Sequence, residues 1–96
     1  MSSYDQGQYQ SALNYFQQAL VIRREVGDRA GEGATLNDIG GVYDSRGQYD
    51  QAFQNFQQAL VILREVGDRV GEGTTLNNVG SVYRARGQYD QAFQNF

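Results

Sequence analysis

The chain contains no cysteine, histidine, lysine, proline or tryptophan. Without cysteine there is no disulfide framework, no thiolate nucleophile and no sulfur-based metal site. Without histidine the commonest metal ligand and the usual general base are missing, and without lysine Schiff-base chemistry is excluded. Serine, threonine, tyrosine, arginine and carboxylates remain, and the carboxylates recur at regular spacing, which assigns them to scaffolding. The expectation is a protein that is not an enzyme and needs no cofactor or metal. Apolar runs are short as well: none approaches the roughly 18 residues that span a bilayer. The opening Met-Ser-Ser-Tyr-Asp-Gln-Gly has neither the basic nor the apolar region of a signal peptide. A cytoplasmic protein with no membrane partner is therefore expected. Net charge is −3 and all eight basic residues are scattered arginines, a distribution that offers no basic patch to nucleic acid.

What the chain does have is a repeat. Gly7-Gln8-Tyr9 returns as Gly47-Gln48-Tyr49 and Gly87-Gln88-Tyr89, 40 residues apart each time. Gly27-Asp28-Arg29-Ala30-Gly31-Glu32-Gly33 returns as Gly67-Asp68-Arg69-Val70-Gly71-Glu72-Gly73, and segment 47–56 reappears unchanged as 87–96. A fixed period in this range denotes stacked supersecondary units, each burying its apolar face against the next.

Within one unit, Leu36, Ile39, Val42 and Tyr43 fall at helical spacing, and so, on a broader face, do Tyr49, Ala52, Phe53, Phe56, Ala59, Leu60, Ile62 and Leu63. Sustained alternation, the mark of a strand, is missing. Gly27, Gly47, Gly67 and Gly87 are placed to close helices in the left-handed conformation, and Asp28 and Asp68 to cap the helices that follow. This reading puts helices at roughly 8–26, 28–46, 48–66 and 68–86, with a short stub at 88–96.

The motif Leu36-x-x-Ile39-Gly40-x-x-Tyr43 followed by Ala52-x-x-x-Phe56 recurs as Leu76-x-x-Val79-Gly80-x-x-Tyr83 followed by Ala92-x-x-x-Phe96, and Ala12-x-x-x-Phe16 stands in the first, partial unit. This pattern resembles the tetratricopeptide (TPR) repeat. It departs from it in having leucine for tryptophan, no closing proline and a longer period. In that period and in its Gly-Asp-Arg-x-Gly-Glu-Gly connector it is similar to the extended repeats of LGN/Pins scaffolds and bacterial TPR arrays. The resemblance implies an all-α superhelix of helical hairpins. The chain reads as one domain, 1–96, with a partial repeat at 1–26, a full repeat at 27–66 and a partial repeat at 67–96, a fragment cut out of phase.

The resemblance also implies a function: a scaffold module that binds an extended peptide across the concave surface lined by the first helix of each unit. On the side of those helices away from the core lie Asn37, Asp38 and Asp44, then Asn77, Asn78, Ser81 and Arg84. Asparagine both donates and accepts, and so can pair with a peptide backbone without reading its sequence; the competing reading of these residues is a merely solvated helix face. An alternative function is self-assembly into homo-oligomers or filaments through uncapped ends, using Tyr9, Leu13 and Phe16 at one end and Phe93 and Phe96 at the other. The remaining Tyr and Phe read as core. Gly31-Glu32-Gly33 lacks the Gly-Lys-Ser/Thr ending of a phosphate loop. Arg29 with Glu32, and Arg69 with Glu72, read as exposed surface pairs of small energetic value.

Overall fold

The computed structural model describes residues 6–94, with side chains as far as Gln88. Four helices follow one another: α1 (Gln6–Glu25), α2 (Arg29–Ser45), α3 (Tyr49–Glu65) and α4 (Arg69–Gln94). No strand occurs among the described residues. Each helix packs on the next, and α2 also touches α4, whereas α1 and α3 do not meet. In the slab, 50 × 29 × 17 Å, α2 and α4 lie side by side along one face, the inner one.

The three turns share one mechanism. Gly27, Gly47 and Gly67 have φ of +75°, +74° and +73°, a region that a Cβ disfavours. Around Gly27 the Asp28 amide donates to the Arg23 carbonyl at 2.9 Å and the Gly27 amide to Arg24 at 3.3 Å, the paired bonds of a Schellman closure. The same pairs recur around Gly47, Gln48 to Tyr43 and Gly47 to Asp44, and around Gly67, Asp68 to Leu63 and Gly67 to Arg64. Asp28 and Asp68 then accept from the amides of Gly31 and Gly71, both at 2.9 Å, and so satisfy an orphan donor at the start of α2 and α4.

Gly87 breaks the pattern. A turn was expected there, but α4 runs straight through it to Gln94, and the separate stub at 88–96 does not exist as such. The local sequence Arg-Gly-Gln-Tyr-Asp is the same at 46–50 and 86–90, so the cause lies outside it. After Gly47 a 17-residue α3 folds back and buries its face. Beyond Gly87 residues 88–94 continue α4, and continuing a helix adds one hydrogen bond per residue without the cost of a new nucleus. Arg84 and Ala85 replace Asp44 and Ser45 just before the glycine, and both are better helix formers.

The core lies between α2, α3 and α4. Leu36, Ala59, Ile62 and Leu63 form one buried cluster, with Leu20 of α1 packed against it. Ala52, Phe56 and Val82 form another, with Tyr43, Tyr49, Phe53 and Val79 around it. The α2–α3 pairing is close because two glycines permit it. A Cβ at Gly40 would lie 2.6 Å from the Phe56 ring, and one at Gly33 would lie 3.1 Å from Leu63. Tyr83 of α4 leans on Phe53 of α3, ring centroids 4.6 Å apart.

The connectors hold charge that the sequence reading misplaced. Glu32 and Glu72 are only 6% and 8% exposed, so they are not surface partners. Glu32 accepts from Arg29 on its own helix at 2.9 Å and from Arg24 of α1 at 3.0 Å. Glu72 accepts from Arg69 at 2.8 Å and from Arg64 of α3 at 2.8 Å. Each glutamate thus ties one helix to the next across a turn, and Arg29 reaches further to Glu65 of α3. Burial alone would raise the Glu32 carboxyl, but the Arg24 and Arg29 hydrogen bonds outweigh it and hold the group below its ordinary value. For Glu72 the Arg64 hydrogen bond is the largest influence; burial opposes it, and the net effect is again downward.

Two predictions follow from these connectors. Gly47→Ala should destabilise the chain by about 1 kcal/mol through backbone strain alone, since nothing lies within 4 Å of its Cβ position. Gly87→Ala should stabilise it by about 0.5–1 kcal/mol through helix propensity. Urea unfolding of both variants checks the opposite signs. For the glutamates, a folded-state pKa below the unfolded value means the unfolded chain binds more protons in acid. Their stabilisation is complete above the ordinary carboxyl range, about pH 5, and is lost as pH falls through the depressed values. Thermal melts of Glu32→Gln/Glu72→Gln should show a lower Tm than the parent at neutral pH and a shallower decline in acid.

Candidate functional site

Between α1 and α2 runs an open groove of about 830 Å³. One wall is the α1 face carrying Tyr9, Ala12 and Phe16; the other carries Asn37, Asp38, Gly41, Val42 and Ser45 of α2, with Asn78 of α4 at its margin. The apolar wall exists because α1 is the second helix of its hairpin. Its counterparts on α3, Ala52 and Phe56, are wholly buried between α2 and α4, whereas Ala12 and Phe16 meet α2 alone and stay half-exposed.

The polar residues expected to contact a peptide divide into two groups. Asn37, Asp38 and Asn78 come together at the groove. Asn77 and Arg84 are exposed on α4, and Ser81 and Asp44 are half-buried; none of these four lines it. Asn37 is not a bystander on a solvated face. Its Oδ1 accepts from the Thr75 hydroxyl at 3.0 Å and from Asn78 Nδ2 at 3.1 Å, and so joins the two inner helices α2 and α4. Thr75 is fully buried, so this bond satisfies a donor that has no access to water. Partial loss of hydration pushes the carboxyls of Asp38 and Asp44 above their ordinary value.

Of the residues expected to mediate self-association, Tyr9 and Phe16 line the groove. Leu13 does not belong with them: it is 3% exposed, a core residue facing inward one position round the helix from Ala12. The Phe93 side chain and Phe96 lie outside the described residues. The reading from sequence missed Leu76 and Tyr83 of α4, which are 46% and 62% exposed although their counterparts Leu36 and Tyr43 are buried and half-buried. It also missed Ile22 of α1, 56% exposed where its counterpart Ile62 is buried. The signal was available: each stands 40 residues from an equivalent that packs against a neighbouring helix.

A family model for the tetratricopeptide repeat matches residues 1–65 and again 45–96. The chain belongs to the tetratricopeptide repeat family. The all-helical hairpin array is what that family builds, and its repeats serve as protein–protein interaction scaffolds. No curated protein matches this TPR chain. No helix among its described residues is long and apolar enough to cross a membrane.

The inner hydrogen-bond cluster separates the two asparagines that sequence reading treated alike. Asn37→Ala leaves the Thr75 hydroxyl buried without its acceptor and should cost about 1–3 kcal/mol. Asn77→Ala, on an exposed position, should change stability by less than about 0.5 kcal/mol. Denaturant titration of the two single variants checks the difference.

Proposed function

We propose that this TPR chain is a non-catalytic scaffold whose α1–α2 groove takes up a segment of another polypeptide, in its simplest form an extended peptide laid along the inner face. The observation that carries this reading is the pairing of walls: an apolar strip of Tyr9, Ala12 and Phe16 faces a polar strip of Asn37, Asp38 and Ser45 across about 830 Å³ of open space. Such a cleft gives an incoming chain apolar burial on one side and hydrogen-bond partners for its backbone on the other. Asp38 supplies acceptors, and Asn37 keeps its Nδ2 for donation because Oδ1 is the atom committed to Thr75 and Asn78. Asn77, Asp44, Ser81 and Arg84 extend the polar surface beyond the groove. Self-assembly is the second reading, favoured by the exposure of Leu76 and Tyr83 on a helix whose fellow, α2, buries the corresponding face.

Gly41 gives the test. It lines the groove, and nothing lies within 4 Å of its Cβ position, so a leucine fits the unbound fold and gains about 1 kcal/mol of helix propensity. A peptide selected from a library against the parent chain should bind Gly41→Leu at least about tenfold more weakly in a calorimetric titration, a loss of about 1.4 kcal/mol or more, while the melting temperature does not fall. Equal affinity in the two proteins rejects the groove as the site.

A further inference from the structure

The chain already contains one filled copy of this groove. Helix α2 lies in the cradle between α3 and α4: Gly40 admits the Phe56 ring, Gly33 admits Leu63 and Ile62, and Asn37 receives the hydrogen bonds of Thr75 and Asn78. Ala52, Phe56 and Val82 form the floor, all fully buried. Forty residues earlier the cradle recurs, with Ala12 and Phe16 of α1 and Val42 of α2 as its floor and Thr35 and Asp38 at its edge, Arg23 standing where the template has Leu63. This second cradle is the open groove. Forty residues later the face that fills a cradle recurs as well: Gly73, Leu76, Asn77, Gly80 and Tyr83 on α4 stand for Gly33, Leu36, Asn37, Gly40 and Tyr43. That face is largely uncovered, Tyr83 touching Phe53 of its own α3 at one edge. A Cβ at Gly73 or Gly80 would meet nothing within 4 Å, and Leu76 and Tyr83 are exposed. Because α4 continues straight through Gly87, residues 88–94 extend along its axis and cannot fold back over it.

We propose that the α1–α2 groove is filled by helix α4 of a second copy of this chain, in the pose that α2 adopts between α3 and α4. The proposal rests on the groove being a docking site for polypeptide, and it names the occupant. In that pose Phe16 takes the Gly80 notch of the neighbour, and Tyr83 lies over Ala12 and Val42. One substitution alters the hydrogen bonding. Asp38 stands where the template has Asn78, and a carboxylate cannot donate. The neighbour's Asn77, with its amide turned over, donates from Nδ2 to Asp38 and so converts a neutral contact into a charge-assisted one. The docking leaves the remaining faces of both helices in place, because α2 packs on α1 and on α3 at once. The contact joins unlike faces, so a docked pair keeps one free groove on one copy and one free α4 face on the other, and the assembly grows head to tail or closes as a ring.

Two substitutions that the isolated fold accepts test this. Gly80→Gln places a side chain in open space in the monomer but in the path of the Phe16 ring in the docked pair. Ala12→Arg projects into the groove of the monomer but finds no room once docked, since its counterpart Ala52 is fully buried. Circular dichroism should show both variants as helical as the parent. Sedimentation equilibrium should show the parent with a mass above monomer that rises with concentration, and each variant alone as a monomer. An equimolar mixture of the two variants should form a 1:1 dimer and go no further, because Gly80→Gln retains a working groove and Ala12→Arg a working α4 face. A monomeric parent at all concentrations overturns the proposal, as does a Gly80→Gln variant that associates like the parent, or a mixture that stays monomeric. If the parent is monomeric yet a selected peptide still binds and is lost in Gly41→Leu, the groove stands as a polypeptide site and only the second copy as its occupant is refuted.

Discussion

The contact on which the structure depends is the Phe56 ring lying where a Cβ of residue 40 would be. A helix pair separated by ordinary side chains cannot also bury a phenylalanine between them; removing one side chain lets the ring serve as both spacer and seal. From that contact the rest of the unit is constrained. With Gly33 one further contact along the same face, α2 lies flush on α3, and Phe56 is then free on its far side to meet Val82 of α4. One ring therefore links three helices and carries the hairpin into the next repeat.

The connectors do the corresponding work for polar groups. The turns at Gly27 and Gly67 each combine a left-handed glycine, an aspartate cap and a glutamate held by two arginines from different helices. A buried carboxylate with a single partner is a liability; with two guanidinium groups its charge is balanced and its oxygens are occupied. The direction of one helix is thereby fixed relative to the next at the point where the backbone is least constrained by core packing.

The architecture was legible from residues because the repeat repeats its errors as well as its rules: a glycine every 40 residues with an aspartate behind it says the same thing each time. The helices, the three turns at Gly27, Gly47 and Gly67 and the caps at Asp28 and Asp68 are local features, and local sequence encodes them. What was not legible depends on a partner distant in the chain. Arg29 and Glu32 look like any surface pair until Arg24 arrives from the previous helix. That signal was present, since an arginine stands eight residues before the glutamate in both repeats. Asn37 looked like a solvated residue until α4 brought Thr75 against it. Leu13 and Phe16 both looked like an exposed end, and only the rotation of α1 on α2 distinguishes the one that turns inward.

Gly47 and Gly87 show one pentapeptide in two conformations within a single molecule, left-handed before α3 and helical within α4. The five residues accept either conformation, and the flanking sequence and packing choose between them. In this molecule a hairpin and one long helix are neighbouring solutions of the same short motif, and glycine is the residue that keeps both open.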